Sequence, residues 1–373
     1  MLDSVAALPL TDHHCHGVVQ RDLAAPGFAA LLTEAGPGAS GEGLWDSRLG
    51  FAVRRWCAPV LDLPAHAPAA DYLDRRASLG HAEVTRRLLA AAGLGALLVD
   101  EGYAPEPLTP PAELAQAAGA AAYPVVRLET VAEQVLVDGT DAAGFPDAFR
   151  ERLAAAVPDA IAVKSIAAYR TGLNLAPQRP ADREVIAAAG LALAGIGLGG
   201  RARVADETLQ RFLIWSATDL GAPIQFHCGY GDRDLDLAAA NPLLLTPLLR
   251  ALEPAGVPVL LLHNYPFHRE AGYLAQVFPD VYFDVGLATH NVGARATQVL
   301  TEATELAPFG KLLYSSDAYG LAEHYHLGAL LFRRALTGLL RDGIDGGAWT
   351  EPDADRIARM VGVDNAARVY RLP

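Results

Sequence analysis

The stretch Val5-Ala6-Ala7-Leu8-Pro9-Leu10-Thr11-Asp12-His13-His14-Cys15-His16-Gly17 lies near the start of the chain. Its apolar part, Val5 to Leu10, reads as a buried β-strand that runs into polar groups. Residues two apart on a strand share a face. His14 and His16 therefore project toward one spot, Cys15 turns away, and His13 on the opposite face reads as structural. Two imidazoles converging at a strand end can present two nitrogens to a divalent metal. Taken alone, the pair reads better as two half-exposed turn histidines, since a bare HxH is common by chance, so the rest of the chain has to decide.

Downstream, short apolar runs bounded by turn residues recur at the spacing of strand–helix units. They are Ala96 to Asp100, Tyr123 to Leu128, Ile161 to Ser165, Pro223 to His227, Val257 to His263, Val281 to Val285 and Lys311 to Asp317. With the opening strand they make eight. Between them lie Ala/Leu-rich segments spotted with Arg and Glu, such as Asp147 to Val157, Asp206 to Leu220, Asn241 to Glu253 and Leu321 to Arg341. Pro352 to Tyr370 reads as a closing helix. Uniformly apolar strands alternating with helices predict a parallel sheet covered by helices, and eight of them predict a closed (β/α)₈ TIM barrel over residues 1–373. Residues 18–93, between the first two strands, hold Trp45, Trp56, a Gly36-Pro37-Gly38 patch and an Arg-rich stretch from Ala70 to Ala92. This reads as a helical insert placed to act as a lid.

The 373 residues are 51% hydrophobic and 20% charged, enough for one large core. A net charge of -13 argues against nucleic acid and anionic membrane as partners. Cys15, Cys57 and Cys228 form no CxxC pair, as in a reducing compartment. No basic, then apolar, leader is apparent, and no apolar run reaches membrane-spanning length. A soluble, cytoplasmic protein is expected. Lys stands only at positions 164 and 311, which makes an interior lysine conspicuous.

Catalytic groups of such barrels come from the C-terminal strand ends. The polar residues sit there: His14 and His16 on the first strand, His227 on the fifth, His263 on the sixth and Asp317 on the eighth, with Lys164 inside the fourth. Singly, each has a plain explanation as a capped histidine, an N-cap aspartate or a snorkelling lysine. Together they point to metal chemistry. Gly195-Ile196-Gly197-Leu198-Gly199-Gly200, with Asp219 about 20 residues on, matches a dinucleotide fingerprint. It follows an Ala-rich helical run and no strand, so it reads as a turn between helices.

His14-Cys15-His16, Lys164 to Leu173, Gln225 to Asp232, Leu262 to Tyr273 and Ser315 to Gly320 carry a resemblance. The chain resembles the amidohydrolase superfamily, its amidohydrolase 2 branch, and within that the amidohydrolase half of FluG-type and nodulin–glutamine synthetase fusion proteins. The resemblance implies a divalent metal, commonly zinc, held by His14, His16, His227 and Asp317, with His263 steering water and substrate. One ion is expected; a second would require Lys164 to be carbamylated as a bridge. It implies hydrolysis of a small amide by activated water, with Asp317 as general base. Lys164 and Arg170 are alternatively anchors for a substrate carboxylate. His290 is a further substrate-binding candidate, as are Glu129 and Asp100-Glu101, although acids at loop starts commonly cap helices. Asp232 either binds substrate or holds its loop, and His268 is expected to help begin a helix. The expected partner is a small-molecule substrate, and the expected assembly a homo-oligomer. A metal-dependent decarboxylase is the rival reading, since the branch includes them; a non-catalytic scaffold barrel is the third.

Overall fold

In the computed structural model, which describes residues 1–35 and 42–372, parallel strands follow one another around a curled sheet. They are β1 (Leu10–Cys15), β2 (Leu94–Asp100), β3 (Ala121–Arg127), β4 (Ala162–Ser165), β5 (Ile224–Cys228), β6 (Val259–His263) and β7 (Val281–Phe283). Each strand pairs with its neighbour in sequence. Parallel neighbours need a crossover of a dozen residues or more. Helices such as Phe145–Ala156 and Glu207–Asp219 lie on the connections that supply it. The architecture is TIM-barrel-like.

The period-2 alternation of strands sorts the side chains into two cores. Leu97, Val99, Ile224, Phe226 and Leu261 pack outward with the helices. Their neighbours Leu98, Leu260 and Leu262 join Val125, Ala162 and Leu313 in a separate inner cluster, capped by Ala366, Val369 and Tyr370 of the helix Asn365–Tyr370. Burying each such leucine contributes roughly 1.5–3 kcal/mol. The polar residues Lys164, Gln225 and His227 fall on inner positions of β4 and β5 above this plug.

Two expectations need correction. The apolar run at the start is not all strand: Asp3–Ala6 is helical and β1 begins only at Leu10, so His13 and His14 sit within the strand and His16 just past its end. Lys311 to Asp317 is not a regular eighth strand. It makes one parallel bridge, Phe283 to Leu312. Beyond it, the N–H of Leu313 donates to Phe283, while His13 N–H donates to Tyr314 and Asp317 N–H donates to His14. The segment thus reaches both sheet edges. Its ladder breaks because the Asp12 carboxylate takes the Ser316 N–H at 2.8 Å and because Asp317 is left-handed, with φ 50°.

Between β1 and β2 the described residues form the helices Ala25–Ala30, Arg48–Ala52, Ala69–Leu79 and His81–Ala92. The Ala70 to Ala92 stretch is two helices because Gly80, at φ 78°, breaks it. The Gly36-Pro37-Gly38 patch lies outside the described residues. Phe28, Trp45 and Tyr72 stack together with ring centroids 5.5–6.1 Å apart. Arg76 and Tyr72 then fasten this group to the buried Glu323 on the helix Ala322–Asp345, at 2.6 and 2.7 Å. No described helix is long and apolar enough to cross a membrane.

Candidate metal centre

Three histidines, from the ends of β1 and β6, converge on the Asp317 carboxylate. His14 Nε2 lies 3.3 Å and His16 Nε2 3.5 Å from its Oδ1, and His263 Nε2 lies 3.5 Å from Oδ2. Lys164 Nζ stands 3.0 Å from His14 Nε2. The His227 ring packs on His263 at 4.7 Å between centroids, with Tyr169 on its other side at 4.6 Å. His263, Asn264 and Asp317 all hold left-handed backbone, φ 68°, 60° and 50°. For residues with a Cβ this costs about 1–2 kcal/mol each; His263 and Asp317 meet at the mouth, while Asn264 turns its amide to the Leu261 and Asp284 carbonyls at 2.6 and 3.0 Å.

The tautomers follow from the neighbours. The side-chain amide of Gln225 donates from Nε2 to the His13 carbonyl and to the Tyr370 hydroxyl, both at 2.8 Å. Its Oε1 therefore faces His14 and accepts the Nδ1 proton at 2.9 Å. His16 Nδ1 likewise donates to the Asp100 carbonyl at 2.8 Å. Both rings are left with a bare Nε2 lone pair turned toward Asp317, the form a metal requires.

Burial keeps His14, His263 and His227 neutral. It lowers His14 to about 3, with Lys164 adding to the effect, lowers His263 to about 4 against the pull of Asp317, and holds His227 well below its usual value. Lys164 is lowered by burial to about 8. Asp317 goes the other way: burial alone would raise it, but the neighbouring imidazoles of His263, His14 and His16 hold it well down. The buried nitrogens His227 Nε2, His263 Nδ1 and His263 Nε2 have no hydrogen-bond partner among the described residues. Orphaned imidazole nitrogens beside an ionised carboxylate fit a divalent cation. The ligand atoms of His14, His263 and Asp317 all lie within 4.8 Å of one another, as do those of His14, His16 and Asp100.

A family model described as Amidohydrolase matches residues 81–372. The chain belongs to the amidohydrolase family. It is 32% identical over 277 residues to FluG of Emericella nidulans, an alignment covering 66% of this chain and 32% of FluG; the chain thus spans about a third of that relative. A Lactobacillus casei protein with the provisional description metal-dependent hydrolase is 30% identical, superposes with a TM-score of 0.86, and the match covers 98% of this chain and 96% of that one. A uronate isomerase from Thermotoga maritima shares the fold alone: TM-score 0.67, 13% identity, coverage 99% and 96%.

The amidohydrolase treats the other expected site residues differently. Arg170 is spoken for by Glu133, at 3.1 Å. Glu129 is buried and accepts from the Ser165 hydroxyl and the Ile166 N–H, both at 2.9 Å, leaving Oε2 unpartnered. His290 is buried, stacked on His324 at 4.9 Å, and lowered by burial to about 3. His13 is structural as expected, but not for reasons of parity. The β1 register shifts between Asp12 and Cys15, so His13 reaches the same interior network as His14, bonding Tyr370 at 2.8 Å and Asp284 at 2.9 Å. His268 opens the helix His268–Val277, and Asp232 N–H donates to the Tyr169 hydroxyl.

Sequence reasoning missed the residues that orient the ring: Gln225, Tyr370 and Asp284. It also missed Glu34, pushed up to about 7 by burial and by Asp317 and Asp232. Asp100 was considered only as a substrate or cap residue. It is buried against Arg127 at 2.5 Å and belongs to the second donor cluster. An inner-facing Gln between apolar strand residues was the one signal available.

Proposed function

We propose that this amidohydrolase hydrolyses a small, carboxylate-bearing amide, such as a γ-glutamyl-like amide, using one zinc ion held by His14, His16, His227 and Asp317. The observation that carries this reading is the pair of fixed tautomers, His14 and His16 both presenting Nε2 to the Asp317 carboxylate. When bound, such an ion supplies Lewis acidity at neutral pH.

The protein's own groups divide the remaining work. Asp317 has two oxygens in different company: Oδ1 faces His14 and His16, and Oδ2 faces His263. Held ionised, it takes the proton of the attacking water and passes it to the leaving nitrogen. His263, kept neutral, donates a hydrogen bond to the substrate carbonyl oxygen as negative charge grows there. The described helices between β1 and β2 serve as a lid for the site, tied down by the Arg76–Glu323 pair. Glu129 and His290 line the substrate side.

A second reading is favoured by one distance: Lys164 Nζ, at 3.0 Å from His14 Nε2, stands among the donors. Carbamylated, it would turn a competing cation into a bridging ligand for two ions. Metal analysis of protein purified without chelators separates one ion per chain from two. The same preparation, screened on N-acyl and γ-glutamyl amides, should release ammonia or amine. Carbon dioxide without amine would select the decarboxylase instead. Protein without stoichiometric metal, or His227→Ala with undiminished turnover, would end the proposal.

A further inference from the structure

A cavity of about 320 Å³ opens between the insert helix Arg48–Ala52 and the loops that follow β6 and β7. Its polar lining is Arg48, Arg295, Asn291, Gln298, His268 and Glu302. The two walls come close: a Cβ on Gly293, itself at φ 56°, would stand 3.3 Å from the Cβ of Arg48.

The charges in this cavity do not balance. Glu302, the acid in the lining, is already committed. Its Oε2 takes His268 Nε2 at 2.9 Å, its Oε1 takes Gln298 Nε2 at 2.7 Å, and Arg269 lies 3.4 Å away. Arg48 and Arg295 have no ion-pair or side-chain hydrogen-bond partner among the described residues. In a chain of net charge -13, where acids outnumber bases by 43 to 30, two arginines facing one cavity without a carboxylate are conspicuous. At the cavity wall, His268 is more than nine-tenths buried, stacked flat on Tyr265 with an interplanar angle of 2°, and its Nδ1 has no partner among the described residues. An unpaired buried ring nitrogen beside two free guanidinium forks is a lining prepared for a ligand.

We propose that this cavity binds a small molecule carrying a carboxylate or phosphate group, the oxyanion gripped by Arg48 from the insert and Arg295 from the loop after β7, with His268 meeting a hydroxyl or amine of the same ligand. Guanidinium forks match both oxyanions bidentately. The volume suits a ligand of metabolite size. Because Arg48 and Arg295 stand on opposite walls, an occupant bridges the insert to the barrel. Tyr265 and Asn291 also line the cavity. They lie two residues past His263 and one past His290, so the occupant touches both loops.

The test is calorimetric titration of the metal-loaded full chain with inorganic phosphate and, separately, with succinate, in a chloride buffer. Saturable binding of at least one probe is expected, weakened by about tenfold or more in Arg48→Ala/Arg295→Ala, the scale of losing charge-assisted bidentate contacts. Affinity should be unchanged in Arg179→Ala, whose guanidinium pairs with Asp219 away from the cavity, and in His263→Ala. The tighter probe identifies the oxyanion. No saturable binding of either probe overturns the proposal. So does affinity that survives the double substitution but falls with His263→Ala, which would place the anion at the metal centre. Both arginines are exposed, so circular dichroism and melting of the variants should match the parent. If the double variant fails to fold, Arg295→Ala alone carries the test with the same outcomes.

Discussion

Gln225 accepts the Nδ1 proton of His14 at 2.9 Å, across 211 positions of sequence. Through that bond an uncharged residue on β5 decides which nitrogen of a β1 histidine is free. Substituting Gln225 with Leu keeps the volume and removes the acceptor. Metal affinity should fall by about 10–100-fold, the usual effect of losing a group that orients a ligand. Competition with a chromophoric chelator measures this, and an unchanged affinity would show that His14 needs no such support.

Tyr370 accepts from Gln225 and donates to His13, at 2.8 Å each, and His13 in turn donates to Asp284 at 2.9 Å. Tyr370→Phe removes the hydroxyl that both share and leaves two buried groups unpaired. Stability should drop by about 1–3 kcal/mol, read as a lower urea midpoint with unchanged slope. Loss of metal affinity should accompany it.

Asp317→Asn keeps the shape but abolishes the proton acceptor. Turnover should fall by about two to four orders of magnitude even at saturating metal. Steady-state rates of hydrolysis, taken with metal content by elemental analysis, check this. Turnover near the parent's at full metal loading would remove Asp317 from proton transfer.

Glu323 supplies a pH prediction. Burial alone would raise its carboxyl, but the charge and hydrogen bonds of Arg76, with the Tyr72 hydroxyl, hold it below the usual range. A carboxyl depressed in the folded state contributes stability that is full above the unfolded value of about 4.3 and is lost as pH falls through the folded value. Glu323→Gln should cost about 3–5 kcal/mol at neutral pH, because it leaves Arg76 buried and unpaired. Its stability should also decline less steeply than the parent's in acid. Parallel urea melts across that range decide it.

Removing the metal should lower the melting temperature, and zinc at a hundredfold excess over its dissociation constant should restore about 2.7 kcal/mol. Scanning calorimetry with and without chelator tests both directions. Chelation that leaves the transition unmoved would speak against a folded-state metal site.

Much of the scaffold could be read from the chain, because βα repetition writes itself as apolar runs between turn residues, and those runs matched β2 through β7 within a few positions. The candidate donors stood out for a related reason: His227, His263 and Asp317 are polar interruptions at the ends of apolar segments. What escaped depended on contacts between distant positions. Asp12 capturing Ser316 unravels the expected eighth strand, and a register shift inside β1 brings His13 where alternation would not. Arg170 looked like a free cation only because Glu133, its partner, lies on another helix. Nothing local marked Tyr370 as belonging to the centre.

His13 and Tyr370 meet across 357 positions, which sets an order of assembly. Synthesis delivers His13, His14 and His16 first, and domains form as the chain emerges. Until position 370 arrives, neither Gln225 nor His13 has its hydroxyl partner, and an ion offered to the nascent chain finds adjacent imidazoles whose free nitrogens are still undecided. Correct loading therefore belongs to the end of folding, so metal supplied after refolding should fill the centre more faithfully than metal present throughout.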